Sequence, residues 1–386
     1  MARPMAAGSI RFDEVRSWIF DKALPLWAGA GLDRVDGGAV ESLDFQGRDG
    51  GLAFKRTRVQ ARQVYVFSQG ALMGWTPGFE AAEHCRRFLE RARRADGAWV
   101  RCLGRAGEVT DGAADAYDMA FVLYALAWRI RAGDQGALAQ AHATADTLDR
   151  LFMIGPGQGW RAAEDHPICD QNPHMHLLEA SLELADATGD ERFAERARTV
   201  LNLFMERLFD PDKGVLTEVF GDGWVRPTGD RRSVWPGHHY EWCWLLYRAR
   251  KVVGVDLTAE AKALYAFAEA RGLDPATRLA DDGLDGEAMA PRRTFRTWPQ
   301  TEALKANLAI FEHEGLDTRG RIAEITDQLL DRYLGVQPAG LWQDRFGPGY
   351  QPMAPDVPTS TFYHLLLAFT ELLRLEPQLS KASQPG

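Results

Sequence analysis

The stretch Pro236-Gly237-His238-His239-Tyr240-Glu241-Trp242 places a histidine and a carboxylate three residues apart at the start of an apolar run. On a helix, positions i and i+3 lie on the same face. His238 and Glu241 are therefore predicted to share one wall of a cleft, with aromatic residues packed behind them. A carboxylate beside an imidazole orients the ring and holds its protonation state, which a general acid/base requires.

Helical periodicity dominates the rest of the chain. Two kinds of amphipathic stretch alternate: one is rich in aromatic and small residues and opens with polar residues, and the other is charged along one face. The brief β-like pieces between them predict small hairpins and no main sheet. The periodicity predicts helices over twelve stretches: 11–28, 55–74, 78–95, 114–132, 134–153, 172–188, 190–209, 236–253, 257–271, 298–314, 318–333 and 358–374.

A period near sixty residues relates the aromatic-rich helices. Two helices per period indicate a repeated helical hairpin. Six hairpins can close into a ring, so the sequence predicts an all-α (α/α)6 barrel whose inner helices direct their polar ends at one pocket. An open α-solenoid gives the same periodicity and is the structural alternative. The residues that mark the period, with gaps of 56, 58, 65, 61 and 62, are Arg62, Asp118, His176, Glu241, Glu302 and His364.

The barrel is predicted to occupy residues 1–375 as a single catalytic domain. Small and polar residues dominate the end of the chain, so residues 376–386 are predicted to form a disordered tail. No linker is visible inside the barrel.

Composition excludes several classes of protein. The formal charge of −9 argues against nucleic acid as a partner, because phosphate binding needs a basic footprint. Neither a signal peptide nor a membrane-spanning apolar run is evident, so a cytoplasmic protein without a membrane partner is expected. The four cysteines form no CxxC pair and are predicted to be free thiols.

Two further histidines occupy matching places in the repeat. His176 lies one turn into the helix that begins near Asn172 and Pro173, and His364 lies at the start of the last aromatic-rich helix. On a helix, His174 diverges from His176 by about 200°, so this pair does not indicate a metal site. Histidines suit proton shuttling at a carbon next to a carbonyl.

Other side chains near these helix starts suit sugar binding. Arg62 lies on an apolar helix and needs a partner, either a structural carboxylate or a substrate oxygen on which charge develops. Tyr117 is a candidate hydrogen-bonding lid and Asp118 an orienting carboxylate. Trp298 is a candidate platform for stacking on a sugar ring.

Six motifs together resemble the N-acylglucosamine 2-epimerase superfamily, which includes the cellobiose 2-epimerases and the mannose isomerases. The resemblance runs from residue 37 to His364 and implies an (α/α)6 barrel, no obligatory metal, and chemistry at C2 of a reducing sugar. The Glu-Trp that follows the His-x-x pair is more like the mannose isomerases. The motifs, in chain order, are VQARQVYVFS, AYDMAFVLYALA, QNPHMHLLEA, PGHHYEWCWLL, RTWPQTEALKA and TSTFYHLL.

The resemblance also implies catalytic roles. His238 and His364 would form the acid/base pair that flanks C1–C2 of the opened sugar, and Glu241 would orient His238. His176 would assist ring opening or hold the O1/O5 side of the sugar. Arg62 would stabilise the developing enediolate oxygen.

Substrate binding is assigned to residues around that catalytic set. No metal ligand and no cofactor are expected, and the partner is a monosaccharide or disaccharide. Family habit adds the expectation of a homodimer. The predicted substrate-binding residues are Tyr117, Asn172, Trp298, Asp118 and Glu302.

The prediction for function is a metal-independent isomerase that interconverts an aldose and a ketose of the D-mannose/D-fructose type through a cis-enediolate. A 2-epimerase on N-acylglucosamine, a free aldose or cellobiose is the first alternative. A glycoside hydrolase using Asp118, Glu241 and Glu302, and a non-catalytic sugar-binding solenoid, are alternatives from other classes. Loop arginines that could meet a phosphate leave a phosphomannose-type isomerase open: Arg231, Arg232, Arg292, Arg293 and Arg296.

Overall fold

A computed structural model describes residues 9–155, 157–165 and 169–381. The described chain is mainly helical, and the predicted helical stretches are all present, with ends that differ by a few residues. Its α-helices are α1 (Phe12–Ser17), α2 (Leu24–Gly29), α3 (Thr57–Leu72), α4 (Gly78–Leu89), α5 (Ala116–Arg131), α6 (Ala137–Phe152), α7 (Gln171–Thr188), α8 (Glu191–Leu203), α9 (Pro236–Val253), α10 (Thr258–Arg271), α11 (Thr297–Glu314), α12 (Arg319–Gln328) and α13 (Phe362–Leu379).

Three of the outer helices contain a π-helical segment. Trp18–Ala23 joins α1 to α2, Phe204–Leu208 extends α8, and Leu329–Tyr333 extends α12. Short 3-10 turns also occur, and one of them, Thr359–Thr361, leads into α13.

The helices form two concentric layers that close into a ring. The inner layer contains α3, α5, α7, α9, α11 and α13, and each of these contacts the next one along the chain. α13 also packs against α3, which closes the ring. The outer layer packs each of α4, α6, α8, α10 and α12 on the inner helix that precedes it, and α1 on α13. The predicted (α/α)6 barrel is therefore confirmed, and the open solenoid is excluded.

Local sequence explains where the helices begin and end. Asp115 caps α5 by accepting from the backbone N–H of Tyr117 at 2.8 Å. Asp170 caps α7 by accepting from the N–H of Asn172 at 2.9 Å. Gly254, with φ of 71°, ends α9 in the left-handed conformation that glycine adopts without strain.

A short strand precedes each inner helix by three residues or fewer, so the small sheets lie around the N-terminal ends of the inner helices. β1 pairs with β14, β2 with β3 and β3 with β4, β5 with β8, β6 with β7, β10 with both β9 and β11, and β12 with β13, all antiparallel. The strands are β1 (Ser42–Leu43), β2 (Phe54–Arg56), β3 (Val100–Gly104), β4 (Val109–Ala114), β5 (Cys169–Asp170), β6 (Phe209–Asp210), β7 (Val215–Leu216), β8 (Val219–Phe220), β9 (Ser233–Val234), β10 (Leu284–Asp285), β11 (Ala290–Pro291), β12 (Phe295–Arg296), β13 (Arg345–Phe346) and β14 (Val357–Pro358).

The C-terminal boundary differs from the prediction. α13 continues to Leu379, and both Leu375 and Leu379 are buried in the core, so the helix does not give way to a tail at residue 376. Burial of these leucines against the barrel outweighs the polar composition that follows. Residues 382–386 of the predicted tail lie outside the described residues. All four cysteines are free thiols, as predicted.

Among the described residues, no helix combines the length and the apolar character that crossing a bilayer requires.

Candidate active site

A pocket of about 330 Å³ opens at the N-terminal ends of the inner helices. The prediction that polar helix starts converge on one site holds for most of the predicted residues, because the first turns of six helices meet there. The pocket is lined by Arg62, Tyr117, Asn172, His176, His238, Glu241, Trp298 and His364.

His238 is held by a carboxylate that the sequence interpretation missed. Its Nδ1 lies 2.6 Å from Oε2 of Glu218, and Gln171 donates to the same carboxylate from Nε2 at 2.9 Å. The ring stacks on Trp235 with centroids 5.0 Å apart and an interplanar angle of 17°. Glu218 therefore orients His238, and the prediction that Glu241 does so is wrong. Glu218 lies in the segment between β7 and β8, outside the repeat of helix starts.

His364 is held in the same way. Its Nδ1 lies 2.8 Å from Oε1 of Glu302, and the Nζ of Lys305 lies 2.6 Å from the other oxygen of that carboxylate. Burial, with Arg62 and Lys305 close by, lowers the pKa of His364 well below its usual value. His364 is therefore neutral at pH 7, and a neutral ring can accept a proton.

Glu302 does not bind substrate, contrary to the prediction. Its side chain is fully buried behind His364 and does not line the pocket. Glu302 lies on the first turns of α11, where the repeat predicted a polar residue, but its side chain is directed between helices rather than into the pocket.

His176 and Glu241 line the pocket next to each other and are both buried. Nδ1 of His176 lies 3.0 Å from Oε2 of Glu179, whose other oxygen accepts from the hydroxyl of Tyr363. Burial lowers the pKa of His176 to about 4, although Glu179 opposes that effect. Burial and the nearby Glu302 raise the pKa of Glu241 well above its usual range. This shift favours the neutral carboxylic acid, which can donate a hydrogen bond.

Glu241 has an unused oxygen. Its Oε1 is buried without a hydrogen-bond partner among the described residues, and it lies 4.0 Å from Nδ1 of His176. Buried polar atoms are usually paired, so an unpaired one that lines a pocket indicates a position for a ligand atom.

Arg62 supplies positive charge to the pocket floor. Its Nη2 donates to the hydroxyl of Tyr117 at 2.7 Å, and Nη1 donates to the carbonyl of Ser360 at 3.3 Å. The guanidinium carbon lies 4.1 Å from the centroid of Phe121, which holds the group flat. No carboxylate pairs with Arg62 among the described residues, which matches the predicted alternative of a substrate oxygen as its partner.

Asp118 is not a substrate ligand, contrary to the prediction. It is fully buried and accepts from the backbone N–H and from Nη1 of Arg58, both at 3.1 Å. Burial raises its pKa to about 6, while Arg58 opposes the shift. Asp118 thus joins the starts of α3 and α5 and does not reach the pocket.

Two groups of side chains have donor atoms close enough to hold a metal ion. The atoms lie within 4.8 Å of one another in His176, Glu179 and Glu241, and in Glu241, Glu302 and His364. Lys305 forms an ion pair with Glu302 between these groups. Its ammonium therefore already supplies a cation at this point, and the donor set fits a metal poorly. The prediction of metal-independent chemistry remains a prediction.

The outer part of the pocket contains residues that the sequence analysis did not assign to it. Arg56 and Arg296 occupy the same position, the residue directly before an inner helix, so the repeat register was the signal that could have identified them. Of the five loop arginines considered for phosphate, Arg296 alone is among the described lining residues. The unassigned lining residues are Arg56, Trp235, Arg296, Asp344, Pro358, Ser360 and Thr361.

The chain is similar to known proteins over most of its length. The family model of N-acylglucosamine 2-epimerase (GlcNAc 2-epimerase) matches residues 38–368. A mannose-6-phosphate isomerase of Rhizobium meliloti is 33% identical over 377 residues, covering 93% of this chain and 96% of the relative. A D-mannose isomerase of Thermobifida fusca is 32% identical over 283 residues, covering 67% and 69%.

The fold also matches a solved structure. The crystal structure of a D-mannose isomerase has a TM-score of 0.85 and 19% identity, and the match covers 97% of this chain and 100% of that one. At that identity the likeness shows the shared fold.

Proposed function

Because the chain belongs to the N-acylglucosamine 2-epimerase family, an enzyme family of sugar isomerases and epimerases, we propose that it interconverts an aldose and a ketose of the D-mannose/D-fructose type. The proposed reaction proceeds through a cis-enediolate without a metal ion. Histidine side chains move the protons.

One observation supports this proposal above the others. His238 and His364 line the same pocket, and each has its Nδ1 bound to a buried carboxylate. Neither Nε2 has a hydrogen bond to a described residue, so that nitrogen is left for the substrate. Two oriented imidazoles in one pocket are the arrangement that proton transfer between neighbouring carbons and oxygens needs.

The proton movements balance with these two histidines. Neutral His364 takes the proton from C2 of the opened aldose, the C2–H electron pair forms the C1–C2 double bond, and O1 gains a proton from His238. His364, whose ring proton exchanges with the solvent, then protonates C1 while His238 takes the proton of O2, and C2 becomes the ketose carbonyl. Arg62 stabilises the negative charge that develops on the oxygens.

His176 and Glu241 support the step before proton transfer. The aldose must open before C2 becomes acidic, and opening needs a proton donor at the ring oxygen. Glu241, protonated because burial raises its pKa, is placed with His176 to donate there. Tyr117, Asn172 and Trp298 bind the remaining hydroxyls and the sugar face.

The 2-epimerase reading uses the same enediolate and differs in where the proton returns. Return to C1 makes a ketose, and return to the opposite face of C2 makes the epimer. The two relatives above 30% identity are named as isomerases, which favours the ketose. A glycoside hydrolase is disfavoured because Asp118 and Glu302 are buried outside the pocket and leave Glu241 without the predicted carboxylate partner across a bond.

Isotope incorporation tests the proposal. The protein is incubated in D2O with D-mannose, D-glucose, cellobiose or N-acetylmannosamine, with and without EDTA. We expect D-fructose from D-mannose with deuterium at C1, at an unchanged rate in EDTA. Deuterated glucose as the first product from mannose would establish epimerisation instead. Loss of turnover in EDTA, restored by a divalent ion, would refute the metal-free mechanism.

A further inference from the structure

The mouth of the pocket contains two arginines with unused donors. Nε of Arg56 donates to Oε2 of Glu41 at 2.7 Å, and Nε of Arg296 lies 3.2 Å from Oδ1 of Asp282. The two terminal nitrogens of each guanidinium have no hydrogen bond to a described residue. Both side chains are about two-thirds buried, with 32% and 28% exposure, and both line the pocket.

Arg296 is held in place by its surroundings. Its guanidinium carbon lies 5.4 Å from the ring centroid of Trp235 and 5.3 Å from that of Trp298, the two rings that also contact His238. Asp282 is fully buried and lies within ion-pair distance of the Nε edge. A guanidinium fixed on one edge and on its faces presents its remaining edge in one direction, which suits bidentate recognition of an anion.

The N-terminal end of α13 lies between these two arginines. α13 packs against α3, which Arg56 precedes, and against α11, which Arg296 precedes. Ser360 and Thr361, in the turn that leads into α13, line the pocket. The N-terminus of an eighteen-residue helix carries partial positive charge and favours an anion.

The carboxyl groups of Asp344, which lines the pocket, and of Asp282 already have protein partners. Asp344 accepts from Thr361 Oγ1 at 2.7 Å, and Asp282 also lies 3.3 Å from Nε of Arg345. The pocket therefore concentrates guanidinium donors in a protein whose net charge is −9. A neutral sugar hydroxyl needs no such concentration of cationic donors.

The position of these donors relative to the histidines identifies the end of the substrate that they meet. Arg56, the last residue of β2, precedes Arg62 on α3 by six residues, which separates their backbone positions by about 9 Å along the helix axis. C1 and C2 lie at the histidines and Arg62, so the mouth meets the far end of the opened sugar chain.

We infer that Arg56, Arg296 and Ser360 form a subsite for a phosphate group carried by the sugar at the end remote from C1–C2. The substrate class is then an aldose phosphate such as a hexose 6-phosphate. This inference rests on the proposed isomerase function, which concerns the C1–C2 end of the sugar that the subsite does not contact. Phosphate is favoured over a carboxylate because two guanidinium edges and a hydroxyl match three oxygens better than two.

The test measures a ratio and a binding event. The values of kcat/KM for D-mannose 6-phosphate, D-mannose and D-mannuronate are compared in the wild-type protein, in Arg296→Gln and in Arg56→Gln. The binding of inorganic phosphate is measured separately by calorimetry. We expect the wild-type protein to prefer the phosphate ester to both other sugars. Loss of one charge-assisted bidentate contact should lower the ratio of phosphate ester to free mannose by about 10–100-fold, with parallel loss of phosphate binding.

Arg345→Gln is the matched control. Arg345 also contacts Asp282 but does not line the pocket, so this variant removes the same charge from the same ion-pair network and should leave the ratio unchanged. Arg56→Gln is a second variant in case Arg296→Gln fails to fold.

Two outcomes separate this inference from the proposed function. Equal kcat/KM for mannose and its 6-phosphate, without phosphate binding, overturns the phosphate subsite and leaves the isomerase proposal standing. Phosphate binding that Arg296→Gln abolishes, without ketose formation from any sugar, supports the anion subsite and overturns the isomerase proposal. An equal preference for mannuronate overturns phosphate as the ligand group.

Discussion

The two ends of the barrel each contain a cavity, and the larger one is not the candidate active site. The cavity at the C-terminal ends of the inner helices has a volume of about 420 Å³, compared with about 330 Å³ for the pocket at the N-terminal ends. The larger cavity also contains aromatic and charged side chains, including Trp128, Trp244 and Arg248. Size and composition therefore do not distinguish the two ends.

The partners of the charged groups distinguish them. At the C-terminal end, Glu183 accepts from Arg131 at 2.7 Å and from Arg248 at 3.0 Å, and Arg374 pairs with Glu312 at 2.6 Å. The charges of these arginines are paired with carboxylates, and these ion pairs hold the helix ends together. At the N-terminal end, the Nε2 atoms of His238 and His364, the terminal nitrogens of Arg56 and Arg296 and Oε1 of Glu241 have no hydrogen-bond partner among the described residues. Unused atoms on charged and histidine side chains, rather than volume, distinguish the candidate active site from the cavity at the other end.

The largest effect is expected from His364→Asn. This change removes the neutral ring that takes the C2 proton, and general acid/base groups contribute roughly 10²–10⁴-fold, so turnover of the best sugar substrate should fall by that factor. His313→Asn at the other end of the barrel, where His313 stacks on Tyr247 with centroids 5.1 Å apart, should leave turnover unchanged. Full activity in His364→Asn would end the histidine mechanism.

A second large difference is expected when one cation is removed from each end. Lys305 is fully buried beside Glu302, and loss of one partner of a buried pair costs about 3–5 kcal/mol. The side chain of Arg374 is 42% exposed, and an exposed pair contributes about 0–1 kcal/mol. Urea unfolding of Lys305→Met and Arg374→Met should show this contrast. A loss below 1 kcal/mol in Lys305→Met would show that the buried pair is not stabilising.

The pH dependence of the Lys305 contribution has a definite sign. Glu302 and the neighbouring carboxylates outweigh the opposing effect of burial and raise the pKa of Lys305 above its ordinary value of 10.5. A raised folded-state pKa means that the stabilisation is complete below 10.5 and is lost as the pH rises through the folded value. The stability difference between the wild-type protein and Lys305→Met should therefore be constant across neutral pH and shrink in strong alkali.

Glu218→Gln tests the corrected partner of His238. The substitution keeps the shape and removes the charge that holds Nδ1, so kcat should fall about 10–100-fold and its pH profile should shift, while the fold is kept. Glu183→Gln removes a buried carboxylate from the opposite end and should lower the unfolding free energy without changing the pH profile. An unshifted profile in Glu218→Gln would indicate that Glu218 acts only in packing.

The smallest effect expected from a single side chain is on the stability of the protein at acid pH. Burial lowers the pKa of His174, His176 and His239 to about 4, below their ordinary 6.5. Between these two pKa values the unfolded chain binds more protons than the folded chain. The free energy of unfolding therefore decreases as the pH is lowered, by up to about 1.4 kcal/mol per pH unit for each histidine. Urea midpoints at pH 4.5 and 6 measure the slope. His239→Gln should reduce it, and an unchanged slope would contradict the assigned shift.

The helices and their closure were predictable because each depends on local spacing. The apolar period of 3.6 residues predicts each helix, and polar starts about sixty residues apart predict six equivalent hairpins. Eight of the ten predicted site residues line the pocket for the same reason. They lie at the starts of inner helices, and these starts meet at one end of the barrel. Asp118 and Glu302 occupy the same positions in the repeat, but their side chains lie between helices and not in the pocket.

The sequence by itself determined the barrel, the family and the positions of His238, His364 and Arg62 at helix starts, because periodicity and motifs are properties of residues close together in the chain. Only the tertiary structure decided the partners. Glu218 meets His238 from twenty residues upstream, and Arg56 and Arg296, far apart in sequence, reach the mouth of one pocket on either side of α13. Ring closure sets these long-range contacts, and no local pattern specifies which charged atoms closure leaves without a partner.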